Sequence, residues 1–309
     1  MTRTAYITHS DCHRHEMLPG HPECPERLDA IAERLAHEGL LERLDAREAP
    51  LATTAQLEDA HDADYVRGVF QRAPAHGLVE LDPDTYMGPH TLAAALRAAG
   101  AVVLATDLVL GGEATTAFCS VRPPGHHAER AQAMGFCVFN NVAVGAAHAM
   151  RTHGLERVAI IDFDVHHGNG TEAIFRDEPR VLMCSTYQYP LYPYVIGLMA
   201  PGHMVNVPLA PGAGGAALRA AVAGHWLPEL ERFAPQLILV SAGFDAHRDD
   251  PLASLTFTEL DFEWVTATLL DVAQRHAGGR LICSLEGGYA LGALGRSAAA
   301  CVRALLGDA

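Results

Sequence analysis

The chain has 309 residues, 49% of them apolar, enough to bury a large core, so one globular α/β domain over residues 1–309 is expected. Its 22 basic residues are all arginine, and 37 acidic ones bring the formal net charge to -15. That balance argues against direct binding of nucleic acid through phosphate neutralisation and would attract a cationic substrate or peptide.

Met1-Thr2-Arg3 opens no basic segment followed by an apolar core, so no secretory signal is expected. Residues 25–38 place Leu28, Ile31 and Leu35 on one helical face, with Pro25 suited to the first turn and Gly39 to the stop. A long apolar helix is expected over 91–110, ended by Gly111-Gly112. Its longest apolar run, 98–110, is interrupted by Asp107 and too short to span a bilayer, so a soluble, cytoplasmic protein without membrane contact is expected. Strand-length apolar runs occupy 115–121, 157–163 and 181–186; a helix is expected at 216–233, a strand at 237–241, a helix at 258–276, a strand at 280–285 and a helix at 291–306. Runs apolar on both faces and alternating with helices indicate a parallel sheet covered on each side. No Pro/Ser-rich linker divides the chain. The seven cysteines are scattered with no C-x-x-C pair, which argues against a disulfide framework and a thiolate zinc site.

Four of the strand runs pass directly into polar loops: Arg122-Pro-Pro-Gly-His-His127, Asp162-Phe-Asp-Val-His-His-Gly-Asn169, Ser241-Ala-Gly-Phe-Asp245 and Glu286-Gly-Gly-Tyr289. Ligands of an open parallel sheet bind beyond the carboxyl ends of its strands, where these loops would converge. Alternation along the second run puts Asp162, Asp164 and His166 on one side, with Phe163 and Val165 on the other. Asp164, His166 and a third donor, Asp245, make a ligand set that leaves a catalytic zinc one open position. Fe2+ or Co2+ suits the same N/O donors. An isolated Asp-x-His triplet more often caps a loop; its company of three other polar strand-end loops favours the metal.

His126 and His127 follow a rigid Pro-Pro-Gly turn. One can take a proton from the attacking water and return it to the departing amine while the other tunes charge. Asp162 and Asn169 are candidates to fix the tautomers. Tyr289, after two glycines, can donate to a developing oxyanion. His13, His15 and His21, whose spacing matches no metal-binding set, are expected to line a rim loop.

These motifs resemble the histone deacetylase family of the arginase and deacetylase superfamily. The likeness runs from Gly20-His-Pro-Glu-Cys-Pro-Glu-Arg27 through Gly135-Phe-Cys-Val-Phe-Asn-Asn141 and Asn206-Val-Pro-Leu209 to Leu285-Glu-Gly-Gly-Tyr289. It implies a three-layer arginase-like α/β fold, a mostly parallel central sheet flanked by helices, and metal-dependent deacetylation. It makes His127 the general base and then acid, His126 an electrostatic support and Tyr289 the oxyanion donor. Gly135 belongs to the motif of Phe136, which matches one aromatic wall of an acyl-lysine tunnel; Tyr192 matches the other. Arg27 matches an arginine lining an internal channel. A structural potassium ion is implied at Asp162, Asp164, His166, Ser185 and Thr186. Asn169, aspartate in some relatives, together with the Pro-Glu-Cys-Pro-Glu-Arg loop resembles the class II and bacterial amidohydrolase branch. Leu252 falls where polyamine-selective relatives carry a gatekeeper glutamate.

The resemblance thus implies a zinc-dependent deacetylase acting on N-acyl-lysine in peptides or proteins. The alternatives are a small-molecule amidohydrolase such as an acylpolyamine deacetylase, and a non-catalytic acyl-lysine binder. A homo-oligomer is left open.

Overall fold

The structure, a computed structural model, describes residues 3–195 and 201–308. In chain order its elements are strand β1 (Thr4–Thr8), helix α1 (Glu26–His37), β2 (Asp45–Glu48), α2 (Thr54–Glu58), α3 (Ala63–Arg72), and the hairpin of β3 (Val79–Asp82) and β4 (Thr85–Met87). There follow α4 (Thr91–Leu110), β5 (Thr116–Cys119), α5 (Asn141–Thr152), β6 (Val158–Asp162), α6 (Asn169–Phe175), β7 (Val181–Gln188), β8 (Met204–Leu209) and α7 (Gly215–Ala221). The last are α8 (Leu227–Phe233), β9 (Leu237–Ala242), α9 (Glu259–His276), β10 (Leu281–Leu285) and α10 (Leu291–Leu306).

Eight strands form one sheet in the order β2-β1-β5-β10-β9-β6-β7-β8, every neighbouring pair parallel. Strands β5, β6, β7, β9 and β10 are buried at every residue. Helices on both faces require this, and it explains why these runs are apolar without alternation. Helices α4 and α5 pack together against the sheet, while α1, α9 and α10 form a second group. The result is the three-layer α/β architecture with helices flanking a parallel sheet. Although α4 is long and apolar enough to cross a membrane, 72% of its apolar window is buried inside the protein, so it is a core helix.

The apolar runs between 115 and 285 become strands with ends shifted by a residue or two, and α4 and α10 begin and end where their periodicity does. The helix expected at 216–233 is instead α7 and α8 joined by a π-helical turn at Val222–Trp226. Pro228 near the start of α8 has no N–H for the regular ladder, and the wider turn accommodates it. Strand β2, Asp-Ala-Arg-Glu, escapes the apolar criterion because it is an alternately exposed edge strand.

All strands of the sheet point the same way, so the loops after β5, β10, β9 and β6 leave one edge side by side, spaced about 4.8 Å from strand to strand. Strands β9 and β10, last in sequence, occupy the middle of the sheet. Asp245 and Tyr289 are thereby carried between the loops that bear His127 and Asp164.

Candidate metal centre and active site

Beyond β6 the alternation of the strand persists: Phe163 and Val165 enter the core, while Asp164 and His166 join Asp245 in a group whose donor atoms all lie within 4.8 Å of one another. Each carboxylate is held through backbone N–H groups. Asp164 accepts from His166 N at Oδ1 (2.8 Å) and from Gly287 N at Oδ2 (2.9 Å), and Asp245 Oδ1 accepts from Val165 N (2.9 Å). His166 Nδ1 stands 3.0 Å from Asp164 Oδ1 and 3.2 Å from Asp245 Oδ2. Asp245 Oδ2 is nonetheless buried without a well-formed hydrogen bond.

Burial, reinforced by the Asp164 charge, pushes the Asp245 carboxyl up; burial would lower His166, but the two carboxylates outweigh it and raise it. Two buried carboxylates sharing one imidazole carry surplus negative charge, and a divalent cation fits this donor set. Glycine is mandatory beside it. A Cβ on Gly287 would lie 2.0 Å from Asp245 Oδ2, and one on Gly243 would lie 2.0 Å from Asp164 Oδ2.

The histidine pair enters from the loop after β5, with ring centroids 4.0 Å apart. His126 Nδ1 is 2.9 Å from Asp162 Oδ2 and His127 Nδ1 is 2.7 Å from Asn169 Oδ1. Asn169 Nδ2 donates to Glu129 Oε1 (2.9 Å), so Oδ1 is the oxygen and His127 Nδ1 carries the proton. His127 Nε2 is left with its lone pair. Burial lowers both rings, but the Asp164 and Asp162 carboxylates overcome it for His126 and hold that pKa well above the ordinary value. For His127, burial followed by the neighbouring His126 and His166 charges holds it well below. The surroundings thus shift the two adjacent histidines in opposite directions, His126 up and His127 down.

A cavity of about 220 Å³ opens onto this group. Tyr192 meets His127 edge-on at 5.2 Å, Phe136 meets Tyr289 edge-on at 6.0 Å, and all four line the cavity. Gly135, Leu252, His126 and His166 also line it. A Cβ on Gly135 would lie 2.3 Å from the His127 ring. A larger groove, about 670 Å³, runs between α1 and α10 but contains none of these groups.

Ser185 lies beside Asp162 in the sheet register, and the hydroxyls of Ser185 and Thr186 are buried with no hydrogen-bond partner. Arg27 is buried and donates to the carbonyls of Gly288 (2.7 Å) and Glu286 (2.5 Å). It therefore clasps the loop that carries Tyr289.

Three participants were not expected from the sequence. Asp84, from the β3–β4 turn, lines the cavity and accepts from Gly135 N (2.9 Å). Glu286 accepts from Gly125 N (2.6 Å) and His126 N (3.1 Å), tying the histidine loop to β10. Asp250 accepts from Tyr289 N (2.7 Å) and Leu252 N (3.0 Å). The expectation that His13, His15 and His21 line one rim loop is corrected. His15 is fully buried, 3.3 Å from Glu23; His13 pairs with Asp29 at the surface; His21 packs edge-on behind Phe136 at 4.6 Å.

Comparison with known proteins identifies the family. A histone deacetylase domain model matches residues 21–305. A histone deacetylase-like amidohydrolase of Pseudomonas aeruginosa is 44% identical over 277 residues, 87% of this chain and 73% of that protein. The polyamine deacetylase HDAC10 of Homo sapiens is 39% identical over 327 residues, covering 99% of this chain and 48% of its own length. The solved HDA15 HD domain superposes with a TM-score of 0.92 at 34% identity, covering 100% of this chain and 89% of that one. Matched by the family model over nearly its whole length and by relatives well above 30% identity, the chain belongs to the histone deacetylase family of amide hydrolases.

Proposed function

We propose that this protein, acting as one unit over residues 1–309, is a zinc-dependent deacetylase that hydrolyses the amide of N-acyl-lysine in peptides or proteins. The observation that carries the reading is the neutral His127, its Nε2 free, beside the Asp164, His166 and Asp245 donor set at the base of a narrow aromatic-walled cavity. Zinc, with Fe2+ or Co2+ as substitutes, would be held by those three residues and would supply Lewis acidity to the scissile carbonyl and to water. His127 Nε2 takes the proton of the attacking water and then delivers it to the leaving amine. His126, kept cationic by Asp162 and Asp164, stabilises the negative charge that develops beside it. Tyr289, its phenol kept protonated by burial, donates to the carbonyl oxygen as it becomes an oxyanion. Phe136 and Tyr192 sheathe the apolar stem of the substrate side chain. The unpartnered hydroxyls of Ser185 and Thr186 beside Asp162 favour a structural potassium ion there.

A second reading, an acylpolyamine deacetylase, is favoured by the net charge of -15 and by Asp84 at the cavity. It is opposed by Leu252, a neutral lining residue that cannot pair with a secondary ammonium. Comparing kcat/KM for an acetyl-lysine peptide and for acetylspermidine, with and without chelator and after Asp245→Ala, tests both. We expect the peptide to be preferred and activity to vanish under chelation and in the variant. Turnover that survives both treatments would overturn zinc dependence, and a preference for acetylspermidine would overturn the substrate assignment.

A further inference from the structure

We propose that Asp107, His148 and His153 form a second divalent-cation site, suited to zinc, on the opposite edge of the sheet from the catalytic cavity. Asp107 lies in the last turn of α4; His148 lies in α5, and His153 caps its C-terminus. The two helices pack side by side. Both imidazoles aim Nε2 at the same oxygen, Asp107 Oδ1, each from 2.7 Å. Their rings are 5.5 Å apart and nearly perpendicular, at 79°. Among the described residues this is one of two sets whose donor atoms all lie within 4.8 Å; the other is Asp164, His166 and Asp245.

Two imidazoles and one carboxylate are borderline-soft N/O donors, preferred by zinc over magnesium or calcium. The Thr152 hydroxyl lies 3.2 Å from His148 Nδ1 and can accept its proton, which leaves the Nε2 lone pair directed at the site. Buried His148 is thereby oriented in advance, while Asp107 (47% exposed) and His153 (27%) leave room for water to complete the coordination. Both helices present their C-terminal ends here, so their dipoles add to the carboxylate in attracting a cation. Because α4 leads into β5 and α5 into β6, the site lies at the amino ends of those strands, and an ion there would brace two core helices without reaching the substrate. The competing arrangement is ion-free, with two neutral imidazoles donating to one carboxylate.

Zinc uptake separates the two. Protein already loaded with one equivalent is titrated calorimetrically with zinc, its metal content is measured, and its thermal midpoint is followed. We expect a second equivalent that raises the midpoint. In Asp107→Asn and in His153→Ala, both altered at exposed positions, affinity for that equivalent should fall by about 100-fold or more while deacetylase activity is kept. Asp245→Ala should retain the second equivalent and lose the first. Wild-type protein that takes up a single zinc, or variants that bind the second as wild type does, would overturn the site. Failure of the catalytic reading would register separately, in Asp245→Ala.

Discussion

The state of His127 is decided by one atom of its partner. Asn169 Oδ1 accepts the Nδ1 proton without bringing a charge, so burial and the neighbouring imidazoles keep the ring neutral and ready to accept a proton. Asn169→Asp would put a carboxylate there and raise the pKa of His127. A base must be unprotonated to act, so the acid limb of the pH profile of kcat/KM should move to higher pH. A limb that stays in place would remove His127 from that role.

A second histidine, outside the cavity lining, couples stability to pH. His61 is buried, donates from Nδ1 to Glu129 O (2.9 Å) and accepts from Asn140 N at Nε2 (2.9 Å), and burial pulls its pKa down to about 4. With a folded value below the ordinary 6.5, its contribution is fully present above pH 6.5 and is lost as pH falls toward 4. The loss is on the order of 3 kcal/mol. Chemical denaturation across that range should show the slope, and His61→Gln should flatten it.

At the scale of elements, the strand-end loops are locked to one another by carboxylates outside the metal-donor set. Asp250 holds Tyr289 N with one oxygen and Leu252 N with the other, so one side chain sets both the phenol and the cavity lining. Asp250→Ala would leave those N–H groups without an acceptor, at a cost of about 1–3 kcal/mol. We expect kcat to fall more than KM rises, with zinc content unchanged; steady-state kinetics and metal analysis check both. The apolar strands and helices were legible in the sequence because burial on both faces, or on one helical stripe, is a local pattern. Asp84 was not, because the strands of the β3–β4 hairpin are only four and three residues long. Glu286 stood in a visible motif, but its grip on Gly125 and His126 spans 160 residues or more and leaves no local trace.

For the whole molecule, the surplus of buried negative charge at Asp164 and Asp245 would tie folding to a cation held there. An ion bound only by the native state stabilises it by about 4 kcal/mol at a thousand times its Kd. A chelator should therefore lower the thermal midpoint of the wild type, and by less in Asp245→Ala, which lacks a donor at this site. Calorimetric scans at fixed protein concentration read this directly.

Taken alone, the sequence determined the layered α/β class and the four polar loops at strand ends, because hydrophobic periodicity and the punctuation after it are written locally. It also named the candidate donors Asp164, His166 and Asp245, since an Asp-x-His triplet at a strand end and a carboxylate closing another apolar run are visible in one dimension. Tyr192 and Leu252 carried no such mark and came only through the family likeness. Which loops are neighbours was settled by strand order: β9 and β10 insert between β5 and β6, a choice made by packing over more than 100 residues. The opposed proton affinities of His126 and His127 belong to the tertiary structure alone, because they arise from burial and from carboxylates that only the folded sheet brings within reach.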